Sequence, residues 1–244
     1  MNWIGKRYWI VGASEGLGRE VSKKIAQAGA HVIVSARSED RLKSLVAEIG
    51  DNASFVTVDV SNLSDVEAAA AHVGQIDGVV YLAGVYWPMM SSEWDNKKAD
   101  LMGQINYLGA SRVVGAVISQ MVSRDAGHVV LTGSLSGFRG LPGAIGYCAS
   151  KAGLMALAES IQADLHKTGV RVQVINPGFI KTRLTEKNDF QMPFIMEPKA
   201  AAGIFFDHMD NGGFKRSFPT VFSWVFRLSQ FMPDWMYYRL FGAK

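Results

Sequence analysis

Residues 8–18 read Tyr8-Trp9-Ile10-Val11-Gly12-Ala13-Ser14-Glu15-Gly16-Leu17-Gly18. Four apolar residues of strand-forming type end in a glycine string, and apolar residues at three- and four-residue spacing follow over 17–28. That order predicts a strand, a tight turn and a helix. Glycines let the backbone bend sharply and come close to a ligand, and the first N–H groups of the helix have no partner inside it and face an anion such as a pyrophosphate. A glycine string by itself marks an ordinary turn about as often as a phosphate site, so its weight comes from what surrounds it.

The same alternation continues along the chain. β-rich runs at 31–35, 54–58, 77–82, 128–132 and 170–175 are separated by segments of helical period at 41–49, 66–73, 107–122 and 147–166. Alternation of this kind predicts βαβ units and a parallel sheet. Runs such as Val79-Val80-Tyr81-Leu82 and Val129-Val130-Leu131 are apolar throughout, as in strands covered on both faces by helices. The expected fold is a single α/β domain over 1–244, a doubly wound parallel sheet with helices on both faces. Ser38 and Asn62 stand where N-caps belong, and Gly29, Gly50 and Gly169 where helices end. After Pro177-Gly178 the periodicity loosens. Residues 180–213 read as a flap over a site, with a Phe- and Met-rich stretch at 190–196 and a helix at 199–208, and 218–244 as an aromatic tail in two segments divided at Pro233.

Composition narrows the class. Lys and Arg number 25 against 22 Asp and Glu, a net +3, and the basic residues are scattered, which argues against a nucleic-acid partner. Cys148 is the one cysteine, so no intramolecular disulfide forms and a reducing, cytoplasmic setting is expected. The first residues lack the pattern of an export signal, and no apolar run is long enough to span a bilayer. The five histidines show no metal-ligand spacing, so no metal is expected.

The ends of the β-rich runs carry the chemistry. The second ends in Ser35-Ala36-Arg37, with no carboxylate for a ribose 2′-hydroxyl; Arg37 offers a guanidinium to a 2′-phosphate instead, favouring NADP while leaving NAD possible. The third ends in Asp59-Val60, suited to an adenine edge, and the fourth in Leu82-Ala83-Gly84, whose small residues leave room for a cofactor. The fifth ends in Thr132-Gly133-Ser134. Tyr147 and Lys151, four apart, share one helix face, where an ammonium favours the phenolate and adapts a poor acid/base to neutral pH.

With Asn176-Pro177-Gly178 after the sixth run, these motifs resemble the short-chain dehydrogenase/reductase family over residues 7–182. The resemblance implies a Rossmann-type oxidoreductase acting on a carbonyl or alcohol. Ser134 would orient the substrate oxygen, Tyr147 exchange the proton, and Lys151 lower the phenol pKa while holding the nicotinamide ribose. Asn106 matches an asparagine that helps place a proton-relay water, and is equally a polar residue at a helix kink. Gly12, Ser14, Gly16, Leu17, Gly18, Arg37, Asp59, Val60, Ala83 and Gly84 would bind the dinucleotide together with Tyr147 and Lys151, and Pro177, Gly178, Ile180 and Thr182 would cradle its carboxamide. Two residues depart from the family pattern: Leu82 replaces an asparagine, and Glu15 stands where NADP-preferring members often carry a base, so Arg37 would bear the preference.

Trp87, Met89, Met90, Phe138, Leu141, Phe190, Met192 and Phe194 are expected to wall an apolar substrate site, though such residues fill cores as readily. Cys148 has no histidine partner in a nucleophile pattern. A dinucleotide-binding redox sensor without chemistry is the alternative function, and sugar-nucleotide chemistry would need a longer substrate domain. Pairing into a dimer or tetramer through 107–122 and 147–166 is expected. The tail packs on the body, joins subunits, or lies on a membrane with Arg227, Arg239 and Lys244 at its polar edge.

Overall fold

Strand β1 (Arg7–Val11) alternates its side chains between two cores, and that alternation organises the protein. Trp9 and Val11 point to one side of the sheet and Tyr8 and Ile10 to the other, all four nearly inaccessible to solvent. The structure, a computed structural model, describes residues 1–187 and 191–242. After β1 come β2 (His31–Ala36), β3 (Ala53–Thr57), β4 (Gly78–Tyr81), β5 (Gly127–Thr132), β6 (Val170–Pro177) and β7 (Lys215–Phe218). They form one sheet of order β3-β2-β1-β4-β5-β6-β7, every pair parallel. In register, Trp9 lies beside Ile33 of β2 and Val79 of β4.

The helices are α1 (Gly16–Gln27), α2 (Glu39–Ile49), α3 (Leu63–Val73), α4 (Asn96–Gly103), α5 (Gly109–Ser123), α6 (Ile145–Leu165), α7 (Pro198–Asn211), α8 (Thr220–Ser229) and α9 (Asp234–Phe241). One core packs α3, α5 and α6 on the sheet through Val66, Val113, Val117, Met121 and Leu154. The other packs α1, α2 and α7 through Val21, Ile25, Leu42, Leu45 and Phe205. The doubly wound sheet expected from sequence is thus the fold, with boundaries within a few residues.

Several local expectations change. Asn62 caps α3 by accepting from the Ser64 and Asp65 N–H groups at 3.0 and 3.4 Å, whereas Ser38 occupies the N-cap position of α2 without a side-chain cap bond. Gly50 caps α2 with φ +85°, and Gly29 follows α1 with φ +103°. Gly169 lies beyond the end of α6, which is capped by His166, and its N–H donates to Asp125. The segment 107–122 is the end of a longer arm: α4 passes through a π-helical turn at Gln104–Leu108 into α5. The helix expected at 199–208 is α7, which belongs to the second core, so the flap proper is the loop between β6 and α7. Phe218 belongs to the sheet and the aromatic tail begins after it, in α8 and α9. Phe190 and Lys244 lie outside the described residues. Among the described residues no helix is long and apolar enough to cross a membrane.

β7 holds the last two helices to the body. Phe218 is buried in the second core, and its carbonyl accepts from the Gly178 N–H at 2.7 Å. Phe218→Ala removes a buried ring and is expected to lower unfolding free energy by about 3–5 kcal/mol. Urea unfolding with an unchanged m-value checks this.

Candidate active site

All strands deliver their carboxyl ends to one edge, and in a sheet of this order the loops after β1 and β4 part there and leave a crevice. A cleft of about 480 Å³ occupies it. Its floor is the β1–α1 turn. Gly12 and Gly16 adopt φ of +92° and +55°. A Cβ on Gly12 would collide with the Ala83 backbone, and one on Gly18 with the Gly12 carbonyl. Only glycine permits this contact of β1 with the β4 loop and of α1 with its own turn. The α1 N-cap residue, Glu15, makes no side-chain cap bond, and no acid lies in the first turn. Gly16, Leu17 and Gly18 therefore bring the positive end of a 12-residue helix to the cleft. These residues fit the pyrophosphate of a dinucleotide, with Ser14 also lining the cradle.

At the far end, Arg37 is exposed on the cleft rim beside Asp59 and Val60. Burial pushes the Asp59 carboxyl up, but hydrogen bonds from the Ser61 hydroxyl and N–H, at 2.7 and 3.0 Å, and the Arg37 charge outweigh it and hold the acid below its ordinary range. Glu15 does not stand alone. Its carboxylate pairs with Arg41 at 2.6 Å and Arg183 at 3.1 Å. The acid that seemed to oppose a 2′-phosphate is thus neutralised by two guanidinium groups that sequence reasoning missed, because the pairing joins α1, α2 and the flap.

At the near end, β5 delivers Ser134 and α6 delivers Tyr147 and Lys151. Ser134 Oγ lies 2.8 Å from Ser136 Oγ, on the same cleft wall as Tyr147, near enough to pull its phenol pKa down. Tyr86 meets the Tyr147 ring edge-on at 5.1 Å. Burial pushes the Tyr147 phenol up to about 12, with Ser134 pulling the other way. Lys151 is 4% exposed, and burial lowers its amine to about 8. One of its N–H groups donates to the Thr132 carbonyl at 2.8 Å, and Nζ lies 5.8 Å from the phenol ring centre. From sequence, Lys151 is expected to lower the phenol pKa. In the protein alone burial dominates instead, because desolvation disfavours both charged forms.

Asn106 sits on the π-helical turn, fully buried. Its carboxamide accepts from the Val85 N–H at 2.8 Å and donates to the Val85 carbonyl and Ser150 Oγ, each at 2.9 Å. It ties the β4 loop to α6 beside Lys151. Ala83 and Gly84 line the cleft, as do Pro177, Gly178, Ile180 and Thr182 from β6 and the flap. Every catalytic and cofactor-binding residue named from sequence lines the cleft except Asn106, which stands behind it.

A family model described as short chain dehydrogenase matches residues 6–192. The chain belongs to the short-chain dehydrogenase family. A relative from Myxococcus xanthus, described as an uncharacterized oxidoreductase, is 36% identical over 92% of both chains. A 3-oxoacyl-(acyl-carrier-protein) reductase from Rickettsia bellii is 30% identical over 82% of this chain and 84% of its own. A short-chain dehydrogenase/reductase from Burkholderia phymatum, solved in complex with NAD, shares the fold with a TM-score of 0.85 at 22% identity, covering 94% of both chains.

The apolar wall of this short-chain dehydrogenase differs in membership from the expected one. Of those among the described residues, only Leu141 lines the cleft. Trp87 lies under the Lys187 ammonium, Met89 pairs with the backbone of Gly143, Met90 and Phe138 border a second hollow, and Phe194 packs at a tilt against Phe222; Met192 is not on the wall either. Tyr86, Phe179, Leu184, Phe222 and Phe226 take their place. Cys148 is buried, and burial raises its thiol pKa, the reverse of an activated nucleophile. Among the described residues no His, Cys, Asp and Glu side chains group as a metal would need.

The lowered Lys151 amine gives a direct check. In the protein without ligand it should lose its proton near pH 8, well below a free lysine at about 10.4. Side-chain nitrogen chemical shifts through a pH titration, assigned with Lys151→Arg, would show it; a midpoint above about pH 10 contradicts the burial account.

Proposed function

We propose that this protein is an NADP-preferring oxidoreductase that interconverts an apolar ketone or aldehyde with its alcohol, with Tyr147 exchanging the proton. The observation that carries this reading is the convergence of the Tyr147 hydroxyl, Ser134 and buried Lys151 at one end of a cleft whose other end is a glycine cradle. A nicotinamide dinucleotide bound there supplies the hydride for reduction or accepts it in oxidation. Ser134 holds the substrate oxygen by a hydrogen bond. Tyr147, kept protonated by burial at neutral pH, gives its proton to that oxygen as the carbonyl carbon is reduced, and recovers one from solvent. The spare N–H donors of Lys151 face the cleft near Gly84, where they hold ribose hydroxyls and stabilise the phenolate left behind. Asn106 is a positioning residue in this scheme, fixing Val85 and Ser150 around the amine.

Burial leaves the Tyr147 phenol protonated at neutral pH, the form that carbonyl reduction starts from, whereas alcohol oxidation starts from the phenolate. Arg37 supports the NADP preference, with Arg41 beside it balancing Glu15. NAD remains usable, since the Arg37 guanidinium does not repel an unphosphorylated ribose. Tyr86, Leu141, Leu184, Phe222 and Phe226 favour a carbonyl carried on a hydrocarbon body. The Rickettsia relative's name is in keeping with that, since its substrate is an acyl chain bearing a ketone.

Tyr147→Phe should reduce turnover by about 10²–10⁴-fold while leaving NADPH affinity unchanged. Stopped-flow kinetics on a panel of apolar ketones, with NADPH binding read by fluorescence, checks both. Turnover within a factor of two of the parent would remove Tyr147 from the chemistry, and a parent that binds NADPH yet reduces none of the panel would favour a non-catalytic redox sensor. Arg37→Ala should weaken NADPH binding by about 10- to 100-fold and NADH binding little, because a charged hydrogen bond to phosphate is worth about 1.5–3 kcal/mol. Equal effects on both cofactors, by the same titration, would assign the preference elsewhere.

A further inference from the structure

The exposed side of α8 is apolar at helical spacing. Val221, Trp224, Val225 and Leu228 recur at i, i+3, i+4 and i+7, the stripe that a surface helix normally turns inward, yet they are 77, 49, 46 and 56% exposed. The surface continues over Phe231, 85% exposed, to Trp235, Tyr238 and Leu240 of α9. Phe194 and Ile195 at the flap tip are exposed as well, and the Phe194 ring packs at a tilt against Phe222, 5.5 Å between centroids. A contiguous apolar patch of this kind marks a binding surface.

The patch is held in place by the body. Arg139, on the loop after β5, donates to the carbonyls of Ser229 and Met232, pairs with Asp234 at 2.6 Å, and lies 3.9 Å over the Tyr237 ring. Tyr237 donates to the Gly140 carbonyl at 2.6 Å, and the Gln230 carboxamide to the Phe138 carbonyl at 3.1 Å. The inner faces of α8 and α9 are thus fixed, and the outer face is presented to whatever covers it.

Charge decides between occupants. Residues 219–242 contain Arg227 and Arg239 and a single acid, Asp234, which Arg139 already engages. Arg227 lies 4.7 Å over the Trp224 ring, at the patch itself. A second copy placed symmetrically on this face would bring arginines to arginines with no free carboxylate from these helices to answer them. Anionic lipid headgroups supply the missing charge, and tryptophan and tyrosine favour the headgroup level of a bilayer. We propose that α8, α9 and the flap tip dock on the surface of an anionic phospholipid membrane. Docking places Phe222 and Phe226, which line the cleft, directly behind the lipid-facing residues, so a lipophilic substrate enters from the bilayer; this last consequence rests on the oxidoreductase reading, whereas the docking does not.

Flotation of the full chain with vesicles tests it. Binding is expected to phosphatidylcholine vesicles containing a third phosphatidylglycerol, with weak binding to phosphatidylcholine alone and loss in high salt. Leu228→Asp with Phe231→Asp should abolish flotation, and Arg227→Glu with Arg239→Glu should weaken it by more than about tenfold, since each arginine near an anionic surface contributes about fivefold. These side chains are exposed, and circular dichroism with NADPH binding confirms that the variants fold. Tyr147→Phe should float like the parent, so a failed enzyme reading leaves this result intact. Protein that stays in the infranatant with both vesicle types overturns the proposal. So does a dimer, in sedimentation velocity, that Leu228→Asp with Phe231→Asp converts to monomer, for then a second copy covers the face.

Discussion

The contact between the Gly12 backbone and the Ala83 backbone is the constraint on which the site depends. β1 and β4 are neighbours in the sheet, and from them the chain order runs outward in opposite directions. Loops leaving such a pair diverge, and the space between them is where a ligand enters. The approach is close enough that a single methyl group at Gly12 would part the two loops, and one at Gly18 would lift α1 off its turn. With α1 seated, its N-terminus, the flap contact of Thr182 on Gly16 and the Glu15 ion pairs with α2 and the flap all fall into place around the same crevice.

At the other end of the crevice, burial acts on two groups in opposite senses. It lifts the Tyr147 phenol and depresses the Lys151 amine, leaving a neutral acid beside a cation at neutral pH, the combination that gives up a proton. The arrangement opposes stability. A lysine whose folded-state pKa lies below its unfolded value binds fewer protons when folded between the two, so this group alone makes the fold more stable as pH rises from about 8 toward about 10. At neutral pH the buried charge is tolerated through the Thr132 carbonyl and the wall that Asn106 holds in place. Functional groups commonly sit where the local environment works against their charge.

Sequence made legible whatever rests on local pattern. The central strands are read from runs that stay apolar because both faces are covered, and Tyr147 with Lys151 from a spacing that one helix face imposes. β7 escaped because Lys215-Arg216-Ser217-Phe218 is an edge strand with most of its residues partly or fully exposed, so it lacks the apolar run of its neighbours. α4 escaped because Asn96-Lys97-Lys98 carries little apolar period. Phe222 and Phe226 reach the cleft only because β7 turns the chain back toward it, so no local pattern marks them as part of the wall. Trp87, Met89 and Phe138 are apolar as expected, but they satisfy packing behind the wall. The phenol's raised pKa follows from burial in three dimensions, which a four-residue spacing does not encode.

α8 combines these themes in ten residues. Its inward side chains, Phe222 and Phe226, complete the cleft, its small Ser223 and Ser229 are buried, and its outward side chains are as apolar as a core stripe. A helix apolar on nearly every side is ordinarily buried, yet α8 leaves its outer face open. Rolling α8 to bury that face against the body would break the hold of Arg139 on Ser229, Met232 and Asp234 and withdraw Phe222 and Phe226 from the cleft. The apolar lining of the site and the apolar outer surface are therefore two sides of one fixed element.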